Sequence, residues 1–220
     1  MQPEIRAVVF DWGGVLLRIC RSMAEGLARA ELRPWEGHER DDLLAERKTW
    51  VHLIQIGEMP MDEFYTRVAG QSRGAWTTED VRRLHDRWLI EEYDGAEELT
   101  RQLAAIEGLV TGMLSNTNAA HWARQFPRPD GAGPDFTAPT HLEHRMASQD
   151  LGLAKPGVEI YHAAAEVLGL ARNPGAILFF DDLEENVHAA RDAGWQSEQI
   201  DHTADTAAQM RDHLRAKRVL

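Results

Sequence analysis

The stretch AVVFDWGGVLL, residues 7–17, constrains the fold more than any other part of the chain. Its first four residues are apolar without a break, which suits a strand covered on both faces rather than one alternating between core and solvent. The run begins at Ile5, stops on a lone carboxylate, Asp11, and continues into Trp12, Gly13 and Gly14. Similar short apolar runs occur at 110–114 and 176–180. Helical patterns lie around them, at 95–107 before Gly108, 157–168 before Gly169 and 183–193 before Gly194. A glycine just past the last helical residue is a common stop signal. In the second pattern Ile160, Ala164, Val167 and Leu168 share one face. Strands alternating with helices predict an α/β fold with a parallel sheet and helices on both sides.

Residues 18–91 read differently. Helical segments follow one another at about 21–32, 38–56, 61–69 and 78–92, with no strand among them. Thr77 or Thr78 caps the last, with Glu79 and Asp80 in its first turn. A helical block set between the first strand and the remainder predicts an inserted cap, with a core formed by 1–17 and 92–220. The stretch RPDGAGP at 128–134 is the clearest irregular loop. The chain's 220 residues, 43% apolar and 27% charged, suffice to bury a core without a disulfide or metal staple. The lone Cys20 has no internal partner and fits a reducing compartment, so a cytoplasmic location is expected. No basic segment precedes the first apolar run, and no stretch approaches the ~20 apolar residues of a membrane span. A net charge of −12 argues against nucleic acid as a partner.

In an open parallel sheet, ligands bind beyond the carboxyl ends of the strands. The three runs deliver Asp11, then Ser115 with Asn116, then Asp181 and Asp182 to that edge. Lys155, in GLAKPG, sits just before a helix and can reach it. Taken singly, each has an ordinary explanation: a turn former, a helix cap, a solvated loop lysine. All of them together, in order and at one edge, are much harder to explain that way.

The set VVFDWGGVL, MLSN, KPGVEIY and FFDDLEENVHAARDAGW resembles the four motifs of the haloacid dehalogenase-like hydrolases. The resemblance spans nearly the whole chain once the block at 18–91 is matched to that family's helical cap. It implies a three-layer Rossmann-like core and, in most members, phosphoryl transfer to the first aspartate. Asp11 would then be the nucleophile, forming an aspartyl-phosphate that water hydrolyses. A carboxylate needs no deprotonation to act this way at neutral pH. Ser115 and Asn116 would contact the phosphate. Lys155 would supply positive charge and keep Asp11 ionised. Asp11, Asp182, Asp181 and the backbone oxygen of Gly13 would hold Mg²⁺, an ion suited to oxygen ligands, with Asn186 orienting Asp182. Trp12 would offer its backbone amide to the phosphoryl site while its ring packs inside. The implied partner is a small phosphorylated metabolite. A homodimer through the cap is left open.

One position departs from the family pattern. Phosphatases of this kind usually carry a second aspartate two residues after the nucleophile, which protonates the leaving group; here it is Gly13. General acid/base help of that sort is typically worth ~10²–10⁴ in rate. A cap histidine (His38, His52 or His85) is one substitute. Two alternatives follow: a catalytically silent protein that binds a phosphate ligand or a partner, and a dehalogenase-type hydrolase. That dehalogenase branch also lacks the second aspartate but typically has an aromatic residue there. His141 and His144 are discounted as metal ligands for want of a third partner. Arg21, Arg47 and Gln55 are the polar cap residues whose direction the sequence leaves open.

Overall fold

The computed structural model of the protein describes residues 3–220. In chain order the elements are β1 (Ala7–Phe10), β2 (Leu17–Ile19), α1 (Met23–Arg29), α2 (Asp41–Gln55), α3 (Met61–Gln71), α4 (Thr78–Asp86) and β3 (Leu89–Glu92). Then follow α5 (Ala96–Ala104), β4 (Val110–Ser115), α6 (Ala119–Ala123), β5 (His144–Ala147), α7 (Ser148–Leu151) and α8 (Val158–Val167). The chain closes with β6 (Ile177–Asp181), α9 (Glu184–Asp192), β7 (Gln196–Gln199) and α10 (Thr206–Ala216).

Among the described residues, five strands form one parallel sheet in the order β5-β4-β1-β6-β7, with β1 at its centre. The unbroken apolar run of β1 is explained by helices on both sides. Val8 and Phe10 pack with Leu99 and Leu103 of α5 and with Met210 and Leu214 of α10. Ala7 and Val9 face the other way, onto Ile160 and Ala164 of α8 and Ala190 of α9. Burying a side chain of this size is worth ~1.5–3 kcal/mol, so neither face tolerates a polar residue. The expected glycine stops are present, with Gly108, Gly169 and Gly194 all in the left-handed region.

Two strands of the five-stranded sheet were not legible in the sequence. β5 (HRMA) and β7 (QSEQ) carry polar residues because they are the sheet's edges, where one flank has no neighbouring strand. A third difference lies at the end of the helical block. The helix expected over 78–92 begins as predicted, with a reciprocal Thr77–Asp80 capping box, but it ends at Asp86. Residues Leu89–Glu92 instead form β3, antiparallel to β2. That partner lies about 70 residues upstream, beyond the reach of local periodicity, and the pairing overrides the helical pattern.

The helices α1–α4 between these two strands share a separate apolar core, including Leu27, Ile54, Phe64, Tyr65, Trp76 and Leu84. A helical layer with its own core is consistent with a cap. No helix among the described residues is long and apolar enough to cross a membrane.

Candidate active site

Register brings the motifs together. Phe10 lies level with Met113 on β4 and Phe180 on β6, so Asp11 and Asp181 reach the carboxyl edge level with each other, and Ser115 ends β4 one residue further on. The Asp11 amide donates to the Phe180 carbonyl at 2.8 Å, extending the ladder one step beyond β1. Asp11, Ser115, Lys155, Asp181, Asp182 and Asn186 are all buried there.

Lys155 is the hub rather than a solvated loop residue. Its Nζ lies 2.8 Å from Asp11 Oδ1 and 2.6 Å from Asp181 Oδ2. Asn116 fixes its backbone, donating to the Lys155 carbonyl at 2.8 Å and accepting from the Lys155 amide at 2.9 Å. The Asn116 side chain is thus committed to Lys155, and only its main chain is left to face a ligand. Burial opposes the charged forms of the whole group. It pushes the Asp11 carboxyl up to about 7, against the pull of Lys155 and with the push of Asp181 and Asp182. For Lys155 the balance reverses: burial pulls its pKa down, but Asp11 and Asp181 together hold it above its ordinary value. The expectation that Lys155 keeps Asp11 ionised by proximity is therefore met only in part: the pair is in contact, but burial outweighs it.

Asn186 corrects a second expectation. Its Nδ2 donates to both Asp181 oxygens at 3.0 Å, and it makes no hydrogen bond to the Asp182 side chain. Asp181 Oδ1 also accepts from the Leu183 amide at 2.9 Å. Asp181 therefore points inward onto Lys155 and the first turn of α9, while the carboxylate of Asp182 points towards Arg21 and His202. There Asp182 Oδ2 meets Arg21 Nη1 at 2.7 Å, and His202 Nδ1 lies at 3.7 Å. The Arg21 contact joins residues 161 apart and leaves no local trace in the sequence. Gly14 makes the arrangement possible: its φ is +91°, and a Cβ there would lie 2.4 Å from Arg21 Nη2 and 2.5 Å from Asp182 Cγ.

One oxygen from each of Asp11, Asp181 and Asp182 can be chosen so that all lie within 4.8 Å of one another. Three buried carboxylates outnumber the two cations in contact with them, Lys155 and Arg21, and offer a hard, oxygen-only set of the kind that suits a small divalent cation.

Beside this cluster the Trp12 ring is buried, edge-on to Trp122 at 6.2 Å and to Phe136 at 5.7 Å, in the packing role expected of it. Gly13 has no side chain, and the space its Cβ would enter is approached by Ile19 Cδ1 at 3.0 Å. A cavity of about 310 Å³ opens between the helical layer and the sheet edge, with Gly13, Ser115 and Asn116 among its lining. Of the cap histidines, His85 lines this cavity. His52 is exposed on α2, and His38 bonds the Trp35 carbonyl. His141 and His144 pair with Glu97 and Glu143 and take no part in the carboxylate cluster.

His85 also joins the helical layer to α6. Its ring stacks on His121 with centroids 3.7 Å apart, and His121 Nε2 bonds the His85 carbonyl at 2.8 Å. Burial holds His121 down to about 4 and His85 well below its ordinary value. The folded imidazole of His121 thus takes up a proton less readily than in the unfolded chain. Its contribution to stability is complete above about pH 6.5 and is lost as pH falls towards about 4. The loss expected from His121 alone is ~3 kcal/mol. Urea unfolding midpoints measured between pH 4 and 7 should fall on acidification, and His121→Gln should flatten much of that slope.

The model of the family "haloacid dehalogenase-like hydrolase" matches residues 5–194. Among curated relatives, Phosphatase MT3486 of Mycobacterium tuberculosis is 28% identical over 92% of this chain and 90% of its own length. D-ribitol-5-phosphate phosphatase of Bacteroides thetaiotaomicron is 27% identical over 91% and 94%. Among solved structures, the magnesium complex of the family enzyme bt-2542 from Bacteroides thetaiotaomicron superposes with a TM-score of 0.73 at 23% identity. It covers 95% of this chain and 100% of that one. An L-2-haloacid dehalogenase, PA0810, superposes less closely, with a TM-score of 0.59 at 19% identity over 92% and 87%. With four motifs converging on one sheet edge and a family match across most of its length, the chain belongs to the haloacid dehalogenase-like hydrolases.

Proposed function

We propose that this hydrolase is a Mg²⁺-dependent phosphatase acting on a small phosphorylated metabolite through an aspartyl-phosphate on Asp11. The observation that supports it most is the buried Lys155 ammonium in contact with both Asp11 and Asp181, beside a third carboxylate. A dehalogenase attacking carbon has no use for surplus negative charge at this point. A phosphatase needs it to hold a cation.

Asp11, Asp181 and Asp182, with the Gly13 carbonyl as a further oxygen, would hold the ion, which when bound would neutralise charge on the phosphoryl oxygens and on the carboxylates. Ser115 donates its hydroxyl to a phosphoryl oxygen, and the main-chain amides of Trp12 and Asn116 serve the same group. Lys155 offsets charge on Asp11 and steadies it for in-line attack. Asp11 forms a bond to phosphorus as the ester oxygen leaves with its electron pair. Water then attacks the same phosphorus, releasing phosphate and restoring the carboxylate. Gly13 transfers no proton, so the leaving oxygen takes its proton from solvent or from the substrate. Acyl phosphates and other good leaving groups should therefore react fastest.

Phosphate release from a panel of acyl phosphates and phosphate esters, with Mg²⁺ and with EDTA, tests the proposal. Release that EDTA abolishes supports it, and no release from any compound defeats it. The missing acid gives a sharper measurement. Gly13→Asp combined with Ile19→Ala, which clears the 3.0 Å contact, should raise turnover of simple alkyl phosphates by ~10²-fold or more. Acyl phosphates should gain little.

A further inference from the structure

The cavity over the phosphoryl site is far more apolar than a pocket for a sugar or polyol phosphate. On its cap side stand Ile54, Phe64, Val68, Trp76, Val81 and Leu84. Several of its polar neighbours are committed elsewhere. Asn118 caps α6 through the His121 amide, His121 bonds the His85 carbonyl, and His85 Nδ1 lies 3.3 Å from the Tyr65 hydroxyl. A polyol placed here would lose its hydrogen bonds to water and find few replacements.

Of the groups left over, the Trp12 ring N–H and the Thr117 hydroxyl lack a partner, and Arg47 is the one that carries a charge. It lines the same cavity from α2 and is only 7% exposed. Its Nε and Nη2 donate to the carbonyls of Leu43 and His38. No carboxylate among the described residues pairs with it. A buried guanidinium satisfied only by carbonyls keeps an uncompensated charge, and an entering carboxylate would match its fork of donors. Gln55 lines the cavity from the same helix. The volume of about 310 Å³ lies at the small end of ligand sites, enough for a body of about one ring.

We infer that the cavity takes the organic part of a phosphate monoester whose apolar aryl or branched-alkyl body ends in a carboxylate paired with Arg47, a step that rests on the phosphatase reading of Asp11. The two ends of such a substrate meet opposite demands. Its phosphate lies at the sheet edge among cations and donors, and its carboxylate reaches the one unpaired cation of the cavity wall.

The test compares three phosphates on the full chain with Mg²⁺: benzyl phosphate bearing a para-carboxylate, plain benzyl phosphate, and a polyol phosphate of similar size. Binding is measured by calorimetry on Asp11→Asn, and kcat/KM on the unaltered protein. Both benzyl compounds are expected to exceed the polyol by ~10²-fold. The carboxylate should add at least ~10-fold, an increment that Arg47→Met removes without affecting plain benzyl phosphate. A polyol phosphate that binds as well as the benzyl compounds overturns the apolar assignment. An Arg47→Met variant that weakens both benzyl compounds equally overturns the carboxylate pairing. Should that variant fail to fold, the comparison of the two benzyl compounds on the unaltered protein decides the second point alone. If nothing is turned over but the binding order holds, the phosphatase reading fails and the pocket assignment stands.

Discussion

Asp11→Asn is expected to lower kcat for phosphate release by ~10⁴-fold or more, with the fold intact. The amide is nearly the same shape as the carboxylate, so the packing around β1 is undisturbed, but it is not a nucleophile towards phosphorus. Stability distinguishes this from simple damage. The Asp11 carboxyl is pushed up to about 7 by burial and by its two acidic neighbours, so its ionised form costs free energy in the cation-free protein. A neutral amide escapes that cost. The thermal midpoint of Asp11→Asn without Mg²⁺ should therefore match or exceed that of the unaltered protein at pH 8. The rise in midpoint on adding Mg²⁺ should shrink, because one of three clustered carboxylates is gone. A variant that loses activity and also unfolds easily would point to a structural role for Asp11 instead.

Lys155→Met has the second largest expected effect, and on a different quantity. The ammonium is in contact with Asp11 and Asp181, which lie buried and close to each other. Removing one partner of a buried ion pair leaves charge without compensation, typically at a cost of ~3–5 kcal/mol. Here two carboxylates are left. The penalty should depend on pH with a definite sign. Without the pull of Lys155, Asp11, already raised to about 7, holds its proton in the folded protein at pH values where the unfolded chain has released it. Stability of the variant should therefore fall as pH rises from about 4 through neutrality. Urea unfolding at pH 5 and pH 8 checks this: the gap from the unaltered protein should be small at the lower pH and near its maximum at the higher. A gap independent of pH would mean that lost packing, not charge, is the cause.

How much of this was visible in the residues alone follows from the range of each interaction. The strands β1, β4 and β6 were legible because burial on both faces writes a continuous apolar run. The site was legible in outline because strands in a parallel sheet end at one edge, so Asp11, Ser115 and Asp181 had to be neighbours. Missing were the facts set by long-range contact. Arg21 reaches Asp182 across 161 positions, and Asn186 serves Asp181 rather than the acid beside it. Arg47 did leave a signal: Leu43, Val51 and Ile54 fall on its own helix face, which makes it a cation on an apolar stripe. The polar strands β5 and β7 left none, since edge position rather than hydrophobicity defines them.

The ribbon formed by Leu17–Ile19 and Leu89–Glu92 has an implication for how such a molecule diversifies. The polypeptide leaves for the helical layer and returns from it on adjacent antiparallel tracks, with Ile19 opposite Leu89 and the Cys20 amide bonded to the Trp88 carbonyl. Antiparallel partners stand ~5 Å apart, a gap that a two-residue turn closes. In topological terms the whole helical layer is therefore an enlarged hairpin loop, anchored at a single stem. Its contents can be lengthened, shortened or exchanged without retracing the path of any sheet strand. Recognition and bond-breaking are in this way separable traits, because the stem alone fixes where the chain enters and leaves the layer.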